Sequence, residues 1–150
     1  MKILCVCLGN ICRSPLAEGI LQAKVLERGL DWEIDSAGTG AYHIGDLPDP
    51  RSIRTARQKG IDITDQRARQ IQAKDLKDFD LILTMDQSNY RNVLTLNQSG
   101  TLHTKVRPIM SFLPNSPEQD VPDPYWDDNG FEQVYQMLDA ATDALIKEYS

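Results

Sequence analysis

The sequence predicts an α/β fold built on a parallel sheet, and three observations carry that prediction. Short apolar, β-rich runs alternate along the chain with stretches of helical periodicity, the pattern of strands joined by helical crossovers. The helical stretches open with proline and close with glycine. The first apolar run passes through a short loop straight into a helix-start signal, which makes a strand–loop–helix unit at the amino end.

Residues 3–6, Ile-Leu-Cys-Val, read as a buried strand. Ser14, as an N-cap, and Pro15, at the first helical position, then open a helix. Ala17, Ile20, Leu21 and Val25 share one face of it, and it stops near Gly29. Residues 33–35 form the second strand. After a loop rich in Gly and Pro, Asp49-Pro50 opens a helix that Gly60 closes. Residues 80–84 read as a third strand, fully buried, and 106–110 as a fourth, which Pro108 marks as an edge. The last helix is the clearest. Phe131, Val134, Leu138, Ala141, Leu145 and Tyr149 recur at three- and four-residue steps, an apolar stripe that must lie on the sheet.

A chain of 150 residues with 41% hydrophobic content suits one domain, 1–150, able to bury about 68–70% of its unfolded surface. No basic segment leads into an apolar stretch near the amino terminus, and no window approaches the roughly 18 apolar residues of a membrane span. All three cysteines fall within the first twelve positions, too few and too close for a disulfide framework, so a reducing compartment is inferred. The expectation is a cytoplasmic monomer with no membrane association. The formal net charge of −6 argues against nucleic acid as a partner. Charge is uneven, however: residues 51–77 carry eight Lys and Arg against three acids, and 118–150 one Lys against nine acids. Both read as solvated helical faces, with a sharper alternative in which Arg51, Arg54 or Arg57 steers an anionic substrate.

The chemistry is concentrated in Cys7-Leu8-Gly9-Asn10-Ile11-Cys12-Arg13-Ser14. A loop between a strand and a helix turns backbone N–H groups inward, and the helix behind it adds unpaired amides and the positive end of its dipole, so an oxyanion is favoured at the centre. Gly9 and Asn10 suit a tight, partly left-handed backbone. Arg13 presents a planar fork to two phosphoryl oxygens. The field that draws in a phosphate also favours a thiolate. Counting selects the cysteine: six residues after Cys5 lies Ile11, six after Cys12 lies Glu18, and only Cys7 reaches an arginine.

With these residues, and with Asp35-Ser36-Ala37-Gly38-Thr39, Tyr42 with Ile44-Gly45, Ala68-Arg69-Gln70, Thr84-Met85-Asp86 and Asp123-Pro124-Tyr125-Trp126, the chain resembles the low-molecular-weight protein tyrosine phosphatases over nearly its whole length. The resemblance implies a three-layer sandwich with a four-stranded parallel sheet flanked by helices, the phosphate loop lying between the first strand and the first helix. It implies hydrolysis of phosphotyrosine, in proteins and small aryl phosphates, through a cysteinyl-phosphate on Cys7, with no metal and no cofactor. It places the general acid in the Asp-Pro segment, hence Asp123, where spacing alone could not choose among the carboxylates. Ser36 would hydrogen-bond Asn10, and Ser14 would donate to the Cys7 thiolate. Asp86 is geometrically eligible to support the loop, but reads first as a turn former.

Tyr42, Tyr125 and Trp126 would form a slot for a phenyl ring, and Cys12 could trap an oxidised Cys7 as a disulfide. The two histidines, His43 and His103, are too scattered for a metal cluster and read as surface residues. Two departures stand out: Gln66 occupies a position where animal members carry a histidine in the supporting network, and Trp126 replaces a tyrosine. Two rival readings remain. An arsenate reductase of the same fold would need a downstream cysteine relay, and no cysteine follows Cys12. A non-catalytic phosphotyrosine-binding module would use the loop without turnover.

Overall fold

The computed structural model describes residues 1–97, 105–115 and 119–150. His103 therefore lies outside the described residues. Four parallel strands, β1 (Lys2–Cys7), β2 (Glu33–Gly38), β3 (Leu81–Thr84) and β4 (Val106–Pro108), form one sheet in the order β2-β1-β3-β4. Helices α1 (Arg13–Glu27), α2 (Pro50–Gln58), α3 (Asp75–Asp78), α4 (Gln87–Leu94) and α5 (Phe131–Tyr149) cover it. β1 pairs with β2 from Lys2 opposite Glu33 to Cys7 opposite Gly38, and with β3 from Ile3 opposite Leu81 to Val6 opposite Thr84.

The alternation of side chains along β1 sorts the molecule into layers. Ile3, Cys5 and Cys7 pack with Leu16, Ile20 and Leu21 of α1 and Val134, Leu138, Ala141 and Leu145 of α5. Leu4 and Val6 point the other way, into a smaller core with Ile82, Leu76, Phe79 and Val93. The three-layer, four-stranded α/β architecture is therefore as expected. Chain order reverses beside β1: one crossover leads to β2, the next passes over β1 to β3. That places the carboxyl end of β1 at the switch point where open α/β sheets bind ligands.

Three local expectations are corrected, and two short helices are added. The fourth strand ends at Pro108, and Ile109–Phe112 is a 3₁₀ turn that buries Ile109 and Met110 without strand pairing. The first helix begins at Arg13, not after Ser14. Cys12 is its N-cap without a side-chain bond, and Pro15 sits inside the first turn, where its missing N–H has no helical partner to lose. Tyr149 ends the α5 stripe 41% exposed, its ring 6.1 Å from Phe112 rather than on the sheet. The short helices α3 and α4 had no counterpart in the sequence reading; α4 is started by a capping box in which Asp86 and Asn89 bond each other's backbone N–H. Asp49 caps α2 through the Arg51 N–H, and Gly60 follows at φ +79°, as the proline-in, glycine-out pattern requires. Among the described residues, no helix is long and apolar enough to cross a membrane.

Candidate active site

Residues 8–12 leave the end of β1 and wrap around the start of α1. Outside this loop, three N–H groups and one hydroxyl pin its carbonyls: Thr39 N–H donates to Cys7 O (2.8 Å), Gly40 N–H to Leu8 O (2.9 Å), Asp49 N–H to Ile11 O (2.8 Å) and Ser52 Oγ to Cys12 O (3.3 Å). Every peptide in the described chain is trans, so each outward carbonyl turns the N–H of the same peptide the opposite way. The amides of Leu8, Gly9, Cys12 and Arg13 are thereby turned away from these outer partners, the orientation that an anion cradle requires. Asn10 supplies the left-handed turn at φ +58°. Gly9 does not share that conformation; what it provides is room, because a Cβ there would lie 3.1 Å from the His43 ring. Gly38 is needed for close approach, since a Cβ would meet Leu8 O at 2.6 Å.

Cys7 is buried at the floor. Its Sγ lies 3.0 Å from Ser14 Oγ and accepts from the Asn10 N–H at 3.3 Å. Asn10 Nδ2 donates to Ser14 Oγ (2.8 Å) and Ser36 Oγ (3.0 Å), so both contacts implied by the resemblance are present. Because Ser14 Oγ already accepts from Asn10, its own hydrogen is free to point at the sulfur.

Arg13 is buried, and its Nη1 is committed: it donates to Asp86 Oδ2 at 2.6 Å and to Val121 O at 3.0 Å. Nη2 lies 3.8 Å from Asp123 Oδ2. Burial works against the guanidinium charge, but Cys7, Asp86 and Asp123 outweigh it and hold Arg13 above its ordinary value. Asp86 is thus more than a turn former: one carboxylate caps α4 and anchors the arginine. Asp123 accepts from the Tyr125 N–H through Oδ1 at 3.1 Å, its side chain 39% exposed at the mouth of the cleft.

Cys7, Leu8, Gly9, Ile11, Cys12, Arg13, Tyr42, His43, Asp123, Tyr125 and Trp126 line one cleft of about 380 Å³. The predicted rim residues are therefore brought together, although as an open rim: Tyr42 is 75% and Trp126 88% exposed. Tyr125 and Trp126 meet edge to face at 4.8 Å. His43, expected at the surface, lines the cleft, its Nδ1 3.3 Å from Asp46 and its ring 6.4 Å from Tyr125. Arg51 is not free to steer a substrate. It binds Asp49, Asp128 and Tyr125 O, and so clamps the segment that carries Asp123. Gln66 is buried and donates to Pro15 O at 3.1 Å, so it bears on α1 rather than on the loop.

Two groups near the loop are strongly perturbed. Burial pushes the Cys12 thiol up to about 12, with Asp49, Cys7 and Asp123 adding and Arg51 opposing. Burial likewise pushes the Glu18 carboxyl up to about 7 against its hydrogen bond from Ser36, with Asp35 and Asp65 adding to the rise. A carboxyl raised in the folded state stabilises the fold below its unfolded value and loses that contribution as pH climbs through its folded value. Glu18 should therefore cost about 3 kcal/mol of stability between roughly pH 4.5 and 8. Denaturant titrations of Glu18→Gln should show that decline flattened, with the variant the more stable of the two at pH 8.

The family model for low molecular weight phosphotyrosine protein phosphatase matches residues 2–150. The human protein of that name is 41% identical over 151 residues, covering 98% of this chain and 94% of its own. The crystal structure of YfkJ from Bacillus subtilis superposes with a TM-score of 0.93 at 35% identity, over 99% of this chain and 93% of that one. A Drosophila arginine phosphatase superposes equally well, with a TM-score of 0.93 at 32% identity, covering 100% of this chain and 98% of that one. A family match over nearly the whole length, together with relatives this similar, means that the chain belongs to the low molecular weight phosphotyrosine protein phosphatase family.

Proposed function

We propose that the chain, acting as one domain over 1–150, is a cysteine-dependent protein tyrosine phosphatase working on phosphotyrosine-containing proteins in a reducing, cytoplasmic setting, as a monomer without metal or cofactor. The observation that carries this reading is the buried Cys7 sulfur, with Ser14 at 3.0 Å and the Asn10 amide at 3.3 Å, at the floor of a ring of inward amides beside Arg13. Cys7 Sγ attacks phosphorus in line; the bond from phosphorus to the aryl oxygen breaks, and Asp123 gives its proton to that oxygen. Arg13 and the loop amides hold the equatorial oxygens. Water then attacks the cysteinyl-phosphate, its proton passes to Asp123, and the sulfur leaves as thiolate.

The cleft also bears on substrate class. Leu8, Ile11, Tyr42, Tyr125 and Trp126 present apolar surface, and Asp123 is the one carboxylate among its described lining residues. A phenyl ring needs no further charge, whereas a cationic guanidinium leaving group would be best met by more than the single acid that must also transfer a proton. Hydrolysis of p-nitrophenyl phosphate in chelator, blocked by vanadate, with a phosphotyrosine peptide turned over faster than a phosphoarginine peptide, is the expected result. Binding without turnover would instead identify a recognition module, and thiol-dependent arsenate reduction a reductase. A faster phosphoarginine reaction would transfer the reading to the arginine class represented by the Drosophila neighbour.

Cys12 bears on oxidation. After peroxide converts Cys7 to a sulfenic acid, attack by the Cys12 thiolate forms the disulfide and releases water. With its thiol pushed up to about 12, that closure is slow at neutral pH and speeds with alkalinity. Peroxide inactivation should therefore be reversed by dithiothreitol in the parent and much less in Cys12→Ser, with the protected fraction larger at pH 8.5 than at pH 6.5.

A further inference from the structure

Asn10 is the one non-glycine among the described residues with positive φ, and its side chain is held at three points. Arg69 N–H donates to Oδ1 at 3.0 Å, which fixes the orientation of the amide, so both Nδ2 hydrogens go outward, to Ser14 Oγ and Ser36 Oγ. Ser36 can then only accept from Asn10. Its own hydroxyl donates to Glu18 Oε1 at 2.6 Å, while Gln22 Nε2 donates to Oε2 at 3.0 Å. An unbroken path runs from Glu18 through Ser36, Asn10 and Ser14 to the Cys7 sulfur, and every hydrogen bond between Glu18 and Ser14 has one direction.

Glu18 is 6% exposed on α1. Its charged surroundings are acidic: Asp35 on β2 and Asp65 in the segment after α2, with the buried Cys5 thiol of β1 also within its field. Arg69 pairs with Asp35 and Asp75, and Gln66 turns its amide to Pro15 O. Among the described residues, no ion pair reaches Glu18. As a carboxylate it accepts only, which keeps the Ser36 hydroxyl aimed at it and the Ser36 oxygen open to Asn10. A proton on Oε1 would compete with that hydroxyl and turn it toward an Asn10 amide that offers no acceptor; a proton on Oε2 would displace Gln22.

We infer that Glu18 is a positioning residue of the phosphate loop, acting through Ser36 to hold Asn10 in its left-handed turn, so that the reactivity of Cys7 follows the ionisation state of Glu18. The inference deepens the phosphatase reading and rests on it for its catalytic consequence. With the carboxyl pushed up to about 7 by burial, both states are populated near neutrality.

The test compares the parent with Glu18→Gln from pH 5.5 to 8.5, by the rate of iodoacetate alkylation at Cys7, read by mass spectrometry, and by kcat/KM on p-nitrophenyl phosphate. Taking the ratio cancels ionisations common to both proteins. The parent-to-variant ratio should rise roughly three- to tenfold with pH, the size expected of one buried hydrogen bond, with its midpoint near that of Glu18. The rise should vanish when both carry Ser36→Ala. In an Asp65→Asn background, where an exposed like charge is removed, the midpoint should move to lower pH. A ratio that stays flat, a rise undiminished by Ser36→Ala, or a midpoint that ignores Asp65→Asn overturns the inference. Alkylation needs no turnover, so an absent phosphatase activity would sink the functional reading and leave the ratio to decide this one.

Discussion

Cys7→Ser is expected to lose turnover of p-nitrophenyl phosphate by about 10⁵- to 10⁶-fold, the scale on which removal of a covalent nucleophile is felt. The loss should fall on kcat and leave binding intact. A serine hydroxyl holds its proton far more tightly than a thiol does, and it is a far weaker nucleophile. The cradle itself does not depend on the sulfur: the outward carbonyls of Leu8 and Ile11 are pinned by Gly40 and Asp49, and Arg13 is anchored by Asp86 and Val121 O. The serine oxygen is smaller than sulfur and neutral, so inorganic phosphate should bind Cys7→Ser at least as tightly as it binds the parent, as titration calorimetry would show. Turnover within tenfold of the parent would remove Cys7 from the chemistry. Loss of phosphate binding together with activity would mean that the sulfur is needed to build the loop.

The strand, loop and first helix were legible because their determinants are local. An apolar run, a glycine-asparagine pair and an arginine at the helix entrance carry their meaning within a dozen residues. The stripe on α5 was legible for the same reason, apart from Tyr149, where the sheet ends beneath the helix and Phe112 offers a ring instead. Ser14 was misread as an N-cap because its hydroxyl serves a sulfur seven residues back rather than the helix that follows. Asp86 was undervalued: its capping-box partner Asn89 is local, but Arg13 is 73 residues away in sequence. Glu18 gave no signal at all, since a lone glutamate in the body of a helix reads as a solvated side chain, and only the fold turns it inward to Ser36. His43 was placed at the surface because two scattered histidines suggest no cluster, whereas Gly9 leaves the gap that brings its ring to the cleft.

Asp123→Ala should slow hydrolysis of phenyl phosphate by roughly 10²- to 10⁴-fold, the range for a positioned general acid, and the geometry says why the penalty should depend on the leaving group. Oδ1 is engaged by the Tyr125 N–H, so Oδ2 is the oxygen turned toward the cleft, 3.8 Å from Arg13. Pro122 and Pro124 stiffen the segment on either side, and Arg51 ties it down through Tyr125 O and Asp128. Phenolate leaves poorly without a proton and nitrophenolate leaves well, so the variant should lose much less on p-nitrophenyl phosphate. On that substrate the first displacement survives while water loses its base, and rapid-quench measurements should show a burst of nitrophenol followed by slow release of phosphate. Asp120→Ala is the control, because its carboxylate is occupied by the Gln87 N–H and should change neither rate beyond a few-fold. An equal loss on both substrates would mean that Asp123 shapes the cleft without giving up a proton, and a larger loss in Asp120→Ala would move the acid to that residue.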